Sequence, residues 1–508
     1  MVPGPPADCQ SRLTLFESGF LFLGCFTGFV LMILNNDFPL YCHADEPKKL
    51  YFVMQGVQDF NHPILMLQLG RIATWLLGLS DPQTIMVVCR TISALLGVAM
   101  IVISFLLTRK ILGSRFACAV AAMLAVSPIV VIHGHYYKED MVFVATAMLA
   151  IYFYLNFIKN PTLYSSVVLG VGVGLVLAAQ YKSIFLVGLF IIYPVLDRRL
   201  EIWRIYKLVL PAFSIAIVLA VAINYPALLD PGTFLSGFET ETDHIQRGHK
   251  IKLFPVPQFF MFHLRNSLLP GITIPVALLG LGGLVAVISR WKKSAVELRF
   301  LVIYVLLFYL IHESTPMKPF PGYIRYMMPI VPAMLILAGH FIRISGNQIS
   351  DRVQGAAGNL TVTFLVMVCI LLPAYKSFNL LLNMNEQDTR VRAFNWLKER
   401  QGDGEVYFGK YTLLKNTDSG RIYQLDDETI ETLRAQGYRY AIASSFGYDL
   451  YFIGAELADQ PGRISRYKDV FENVFSKYEY HEIRPNYQSF AFSNPTIRII
   501  DLGVVGNN

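Results

Sequence analysis

The stretch "LYSSVVLGVGVGLVLAAQYKSIFLVGLFIIYPVLD" (Leu163–Asp197) decides how the chain is threaded. As one helix it would run ~50 Å, against a hydrocarbon layer of ~30 Å. Its apolar run is broken once, at "AAQYKS", which contains Lys182. The reading that fits both facts is two spans joined by a turn at Lys182.

The rest of the chain makes that choice necessary. It has 508 residues, 54% hydrophobic and only 16% charged, with mean hydropathy +0.47. Soluble domains carry roughly 25% charged residues, so this is the composition of a polytopic membrane protein. Further apolar segments lie near 14–34, 84–108, 115–135, 141–158, 208–229, 266–289, 299–312, 325–343 and 359–380. With the split accepted and the N-terminus inside, one set of loops collects Arg109, Lys110, Arg115, Lys159, Arg198, Arg199, Arg204, Lys207, Arg290, Lys292, Lys293, Arg299, Arg343 and Arg352. The opposite loops are longer and poorer in Lys and Arg, as the positive-inside rule requires. Without the split every loop after Lys182 would flip. The expectation is about eleven transmembrane helices, N-terminus cytoplasmic, with no cleaved signal peptide.

The formal net charge of +7 belongs with those cytoplasmic cations and does not point to nucleic acid. The six cysteines are scattered and form no CxxC pair, so neither a disulfide framework nor a zinc site is indicated. Residues 1–380 read as the membrane part, with long outer loops at 36–80 and 230–264. Residues 385–508 differ in kind: "VRAFNWLKER" reads as an amphipathic helix, and "GEVYFGKY", "YRYAIASS" and "TIRIIDLG" as strands. This is an α/β domain expected outside the membrane.

The outer side also gathers charge. "YCHADEPKKLYFVMQGVQDFNHP" (Tyr41–Pro63) places Asp45 and Glu46 before Pro47, a residue suited to the first helical turn. Leu50, Val53, Met54, Val57 and Phe60 follow at helical spacing, the pattern of a helix lying in the interface plane. The plainest explanation of "ADEP" is an N-cap. The later outer turns hold His133, His135, Lys138, Glu139 and Asp140, then Lys182, then His312, Glu313, Lys318 and Arg325. Any one of these could be a solvated loop tip. Together they place carboxylates and cations at the outer ends of many spans, where charge is costly and is usually retained for function. Carboxylates supply a general base, and Lys and Arg clamp phosphate. That is the minimal set for moving a sugar from a lipid phosphate.

Several motifs carry a family resemblance: "HADEPKKL" with "NHPILMLQL", "YKEDMVFV", "AAQYKSIFLV", and "YIRYMMPIVPAMLILAG". In order and spacing the chain resembles the GT-C glycosyltransferases, in the branch of protein O-mannosyltransferases and lipid A aminoarabinose transferases. The resemblance covers roughly 14–345 and, more loosely, the outer domain. It implies a multi-span α-helical membrane enzyme, a polyprenyl-phosphate sugar donor and inversion at the anomeric carbon. It also implies an acceptor that is lipid, glycan or protein, and a bacterial inner membrane setting. By position it makes Asp45 the catalytic carboxylate, with Glu46 beside it and Asp140 in support. Lys182 and Arg325 become the cations for the donor phosphate. Where the aminoarabinose branch has Lys-Pro-Pro this chain has Asn61-His62-Pro63, so Lys318 or Lys138 is the candidate to replace the missing cation. No cofactor is required. His62, His244 and His249 leave room for a substrate or divalent metal contact, although their spacing gives no ligand pattern. Within the fold, the alternative is a ligase moving a preassembled glycan. A secondary transporter would show internal repeats and mid-membrane charge, and a non-catalytic scaffold leaves Asp45 and Lys182 unexplained.

Overall fold

The computed structural model describes residues 13–39, 42–43, 45–197, 202–247, 261–315, 322–352, 357–400, 405–409, 411–412, 430–454, 468, 471–491 and 493–503. The membrane part begins with α1 (Leu15–Ile33), started by a capping box in which Thr14 and Glu17 each satisfy the other's backbone N–H. The Glu17 carboxylate also accepts from Arg109 at 3.0 Å, tying the start of α1 to the end of α4 (Pro82–Leu112). Phe16, Phe20, Phe22, Leu23 and Phe26 on α1 face outward, the surface a helix offers to lipid rather than to water.

Between them, α2 (Glu46–Gln55) and α3 (Leu65–Leu76) form the opening outer loop. α2 is shorter than the apolar spacing suggested, because Gly56 takes a left-handed φ of 70° and ends it. Its Leu50, Phe52 and Val53 are buried against the bundle, so α2 is packed into the protein on that side.

α5 (Ser114–Ala125) and α6 (Pro128–His135) are one apolar segment bent by 53°. Ser127-Pro128 sits at the break, where proline removes a backbone donor. α7 (Glu139–Lys159) follows, then α8 (Leu163–Ala179) and α9 (Ser183–Leu196). The break between α8 and α9 falls at Gln180–Lys182, as the length argument requires. α8 packs on α10 (Ile202–Ile223) through Gly170 and Gly174. A Cβ at Gly170 would lie 2.6 Å from the Ala212 carbonyl oxygen, so this small-xxx-small pair permits the close approach.

The outer loop that follows carries α11 (Pro226–Leu229) and α12 (Pro231–Arg247). α13 (Leu269–Ile272) and α14 (Ile274–Ser289) form a second bent segment, with α13 continuing a π-turn that starts at Leu264. The bend is 111° and pivots on Thr273, which has a φ of 72°. α15 (Val296–Ser314), α16 (Val331–Arg352) and α17 (Ala357–Asn385) complete the bundle. Among the described residues, six helices are long and apolar enough to cross a membrane, or up to eight if each bent pair is one span. Of the apolar segments marked in the sequence, 208–229 runs across α10 and α11, 325–343 begins in the 3₁₀ turn before α16, and α8 and α9 are shorter apolar helices than these.

Beyond α17 stand α18 (Thr389–Arg400), α19 (Ile430–Ala435), α20 (Ser445–Gly454) and a four-stranded sheet. The strands β1 (Glu405–Phe408), β2 (Tyr438–Ser444), β3 (Tyr480–Ile483) and β4 (Ile497–Asp501) lie in the order β1-β2-β4-β3, with β1 and β2 parallel and the other pairs antiparallel. Alternate residues feed two cores. Tyr407, Ala441 and Ala443 pack with Leu433 and Tyr448, whereas Val406, Phe408, Tyr440 and Ile442 pack with Ala393 and Leu397 of α18. The edge strand β3, "YHEI", had no apolar alternation to mark it in the sequence.

One buried interaction fastens the opening loop to the bundle. Arg90 of α4 is fully buried and meets both oxygens of Glu46, at 3.1 and 2.5 Å. It also donates to the carbonyls of Asn36 and Phe38, and Glu46 accepts the N–H of Tyr137 at 2.9 Å. Replacing Arg90 by Met strands a buried carboxylate, a loss of about 3–5 kcal/mol for such pairs. Thermal unfolding in detergent should show a large drop for Arg90→Met. The double variant Arg90→Met/Glu46→Leu should recover part of it. Equal melting of wild type and Arg90→Met would remove this anchor from the account.

Candidate active site

A cavity of about 360 Å³ lies where the outer loops meet the span ends. α2 contributes Asp45 at its N-terminus, with Lys48 and Lys49. The loop after α2 gives Asp59, Asn61 and His62. Lys138, Glu139 and Asp140 come from the start of α7, and Gln180, Tyr181 and Lys182 from the break between α8 and α9. α12 contributes Glu241, the end of α15 His312, and the 3₁₀ turn before α16 Arg325 and Tyr326.

Asp45 occupies the N-cap position of α2, yet its side chain makes no capping hydrogen bond. It is turned instead to Lys138, with which it forms an ion pair, and to Arg325, whose Nη1 lies 3.7 Å away. Its backbone N–H donates to Nδ1 of the buried His43 at 3.2 Å. Burial works against ionisation of Asp45. Lys138, His43 and Arg325 outweigh it and hold the carboxyl well below the usual carboxylate range. About half of the Asp45 side chain, 46%, remains open to the cavity.

Lys182 forms no ion pair among the described residues. Its ammonium lies 4.9 Å from the Phe143 ring and 5.7 Å from that of Tyr326, and burial brings it down to about 8 with Asp140 acting the other way. A cation held only by ring faces has unused capacity for an anion. The other lysines at this end are matched: Lys49 pairs with Glu139 and Lys48 with Asp59.

Of the residues singled out in the sequence, Asp45, Asp140, Lys138, Lys182, Arg325 and His62 all line this cavity. Glu46 does not. It is fully buried and committed to Arg90, so the structure gives it an anchoring place in the wall and not a face on the cavity. Lys318 and His249 lie outside the described residues, as does the side chain of His244. Among the described residues no three His, Cys, Asp or Glu side chains converge as metal ligands. Asp45, Asp59 and Glu139 each face a lysine instead.

Glu241 and Tyr326 are cavity residues that sequence reasoning passed over. Glu241 is one of several acids in "FETETDHIQ", and nothing local separates it from its exposed neighbours. A search by helical spacing from Phe234 and Phe238 would have put it on their face of the helix.

The comparisons agree with this geometry. Residues 61–225 match the family described as dolichyl-phosphate-mannose-protein mannosyltransferase. No curated protein matches the chain in sequence. Among solved structures, the chain is similar to the archaeal oligosaccharyltransferase AglB from Archaeoglobus fulgidus, in complex with an inhibitory peptide and a dolichol-phosphate. That likeness has a TM-score of 0.58 and 10% identity over 94% of this chain and 74% of that one. It is also similar to ArnT from Cupriavidus metallidurans bound to undecaprenyl phosphate, with a TM-score of 0.51 and 13% identity over 96% of this chain and 98% of that one. The order of helices and the family match over residues 61–225 therefore give this chain the fold of the GT-C membrane glycosyltransferases.

Proposed function

We propose that the chain is an integral membrane glycosyltransferase that moves a sugar from a polyprenyl-phosphate donor to an acceptor hydroxyl outside the cytoplasm, with inversion. One observation carries this reading. An ionised Asp45, set between Lys138 and Arg325, shares a single cavity with a lysine that has no carboxylate bound to it. The named lipids of the two similar structures, dolichol-phosphate and undecaprenyl phosphate, support a lipid phosphate as the anion.

In this mechanism Asp45 takes the proton of the acceptor hydroxyl as its oxygen bonds to the anomeric carbon. The bond from that carbon to the phosphate oxygen breaks on the opposite face, and its electron pair stays on the phosphate. Lys182 and Arg325 neutralise the charge that develops there, so the leaving group needs no proton. A depressed pKa keeps Asp45 ionised, and a weak base suffices because the hydroxyl becomes acidic as its bond to carbon forms. Asp140, close enough to Lys182 and Arg325 to affect both, holds the two cations in place. Lys138 orients Asp45, and Glu46 fixes the helix that carries it.

The cavity volume, at the low end for small-ligand pockets, favours one sugar over a preassembled glycan. The reading divides the chain into a catalytic membrane unit, 1–380, and an extracytoplasmic unit, 385–508. It takes about eleven spans, places the N-terminus in the cytoplasm and the protein in a bacterial plasma membrane. The acceptor is lipid, glycan or protein.

Asp45→Asn keeps the size of the side chain and removes the base. Transfer in proteoliposomes should fall by at least ~10²-fold with expression unchanged, and near-normal turnover would sink the assignment. Lys182→Ala should weaken binding of a polyprenyl-phosphate donor. Lys182→Arg should restore part of it, since charge returns but not geometry. A donor affinity indifferent to both changes would move the phosphate elsewhere. For topology, Glu399 on α18 is 73% exposed. A cysteine introduced there should react with an impermeant thiol reagent in intact cells. Labelling only after permeabilisation would reverse the orientation.

A further inference from the structure

The cavity holds a second kind of chemistry beside its ion pairs. Asp45, Asp59 and Glu139 each face a lysine. Glu241 also lies beside an imidazole: its Oε1 is 4.0 Å from Nδ1 of His62, and the two side chains are 18% and 27% exposed. Burial raises the Glu241 carboxyl to about 7 and lowers the His62 imidazole to about 4. Near neutral pH the imidazole is uncharged, and the carboxyl holds its proton more readily than an ordinary glutamate. Such a pair offers a hydrogen-bond donor and acceptors with little net charge.

Glu241 is delivered to this place by a well-fixed element. Asp230 caps the start of α12, accepting from the Thr233 N–H at 3.0 Å. Phe234, Gly237, Phe238 and Glu241 then recur on one face of the helix. Phe234 meets the Phe60 ring edge-on at 5.8 Å, and Phe238 meets Tyr181 at 5.2 Å. Gly237 lies against the Asp59–Phe60 backbone so closely that a Cβ there would stand 2.8 Å from the Phe60 carbonyl carbon.

The opposing loop is equally shaped. Phe60 adopts a φ of 49°, a left-handed conformation uncommon for a bulky residue. Tyr181 donates to its carbonyl at 2.7 Å, and Asp59 accepts from the N–H and side-chain amide of Asn61. These bonds present His62 to the cavity. Tyr181, which α12 packs against, immediately precedes Lys182. The helix therefore lies over the turn that offers the cation for phosphate.

We propose that Glu241 and His62 form a sugar-reading pair, which α12 holds over the donor cavity next to the phosphate end of the site. The inference rests on the glycosyltransferase reading and assigns within it the residues that recognise the hydroxyls of the transferred sugar. A sugar esterified to a phosphate at Lys182 is one C–O–P link away from it, within reach of a side chain lining the same cavity. Hydroxyl groups need both donors and acceptors. A carboxyl and an imidazole without full charges supply them and do not repel the phosphate as a carboxylate would. Asp45, ionised and paired with cations, is left for proton transfer.

The test compares lipids that differ only in the sugar. The full chain in nanodiscs is titrated with undecaprenyl phosphate, and with undecaprenyl phosphate esters of mannose, glucose and galactose. Wild type should bind at least one ester about tenfold more tightly than the sugar-free lipid, the scale of one well-made polar contact. Glu241→Ala and His62→Ala should each cancel that increment and leave the affinity for undecaprenyl phosphate within about twofold. Glu241→Gln, which keeps a donor and an acceptor, should retain most of the increment. Glu239→Ala, exposed two residues away on α12, should change nothing. The pair is not the sugar reader if wild type gains nothing from any sugar, or if Glu241→Ala weakens all four lipids alike. It is equally excluded if Glu241→Gln is as poor as Glu241→Ala. Failure of wild type to bind undecaprenyl phosphate at all is a different result and overturns the function on which the pair depends.

Discussion

The guanidinium of Arg90, sealed from solvent against Glu46, is the interaction on which the site depends. Two charges cannot sit in an apolar interior unless each is satisfied by the other and by further hydrogen bonds. Here the bonds reach in several directions: to the carbonyls of Asn36 and Phe38 after α1, to the start of α2, and to the backbone before α7. The register of α2 is therefore fixed against α4 and α7. Glu46 and Asp45 are neighbours in sequence. With Glu46 committed inward, Asp45 is left at the mouth of the helix, facing Lys138 and Arg325.

Around that anchor the cavity sorts its charges by partner. Lysines on α2 and before α7 neutralise Asp59, Glu139 and Asp45, which keeps an acidic pocket from repelling an anion. Lys182, at the break between two short helices, is bordered by aromatic faces and carries charge without a bound carboxylate. The break leaves that cation at the same end of the bundle as Asp45 and Arg325. Glu241 of α12 and His62 of the loop after α2 line the same cavity, from connecting segments rather than from the long apolar helices.

The sheet region is bound to this end of the molecule. Arg390, at the start of α18, is clamped by Asp388 and donates to the Cys42 carbonyl at 2.9 Å. Cys42 is three residues from Asp45. Asn383, at the end of α17, donates to the Tyr487 carbonyl at 2.8 Å, and Leu380 and Leu381 pack with Tyr136 and Ala491. The segment leading into Asp45 is thus held from the membrane side by Arg90 and from the outer side by Arg390.

Much of this was legible in the sequence, for a physical reason. A lipid span takes roughly 20 residues, and that length together with the polar interruption "AAQYKS" predicted the break at Lys182, whereas α4 and α17 run 31 and 29 residues without one. The repeated placement of charge at span ends put Asp45, Lys138, Asp140, Lys182 and Arg325 on one expected side, the family resemblance marked them as a site, and all five line one cavity. The strands of the outer domain showed where side chains alternate and stayed hidden at β3, where they do not. What the sequence could not decide was the direction in which neighbouring groups point. Asp45 and Glu46 are alike in type and adjacent, and only Arg90, arriving from 44 residues away, separates an anchor from a cavity carboxylate. Glu241 looks like any acid on a polar helix until Phe234 and Gly237 dock its face onto the loop before His62 and Phe238 docks it onto Tyr181. Hydrophobic length is a local property and can be read from the chain. The partner of a buried charge is set by packing between distant segments, and only the tertiary structure determines it.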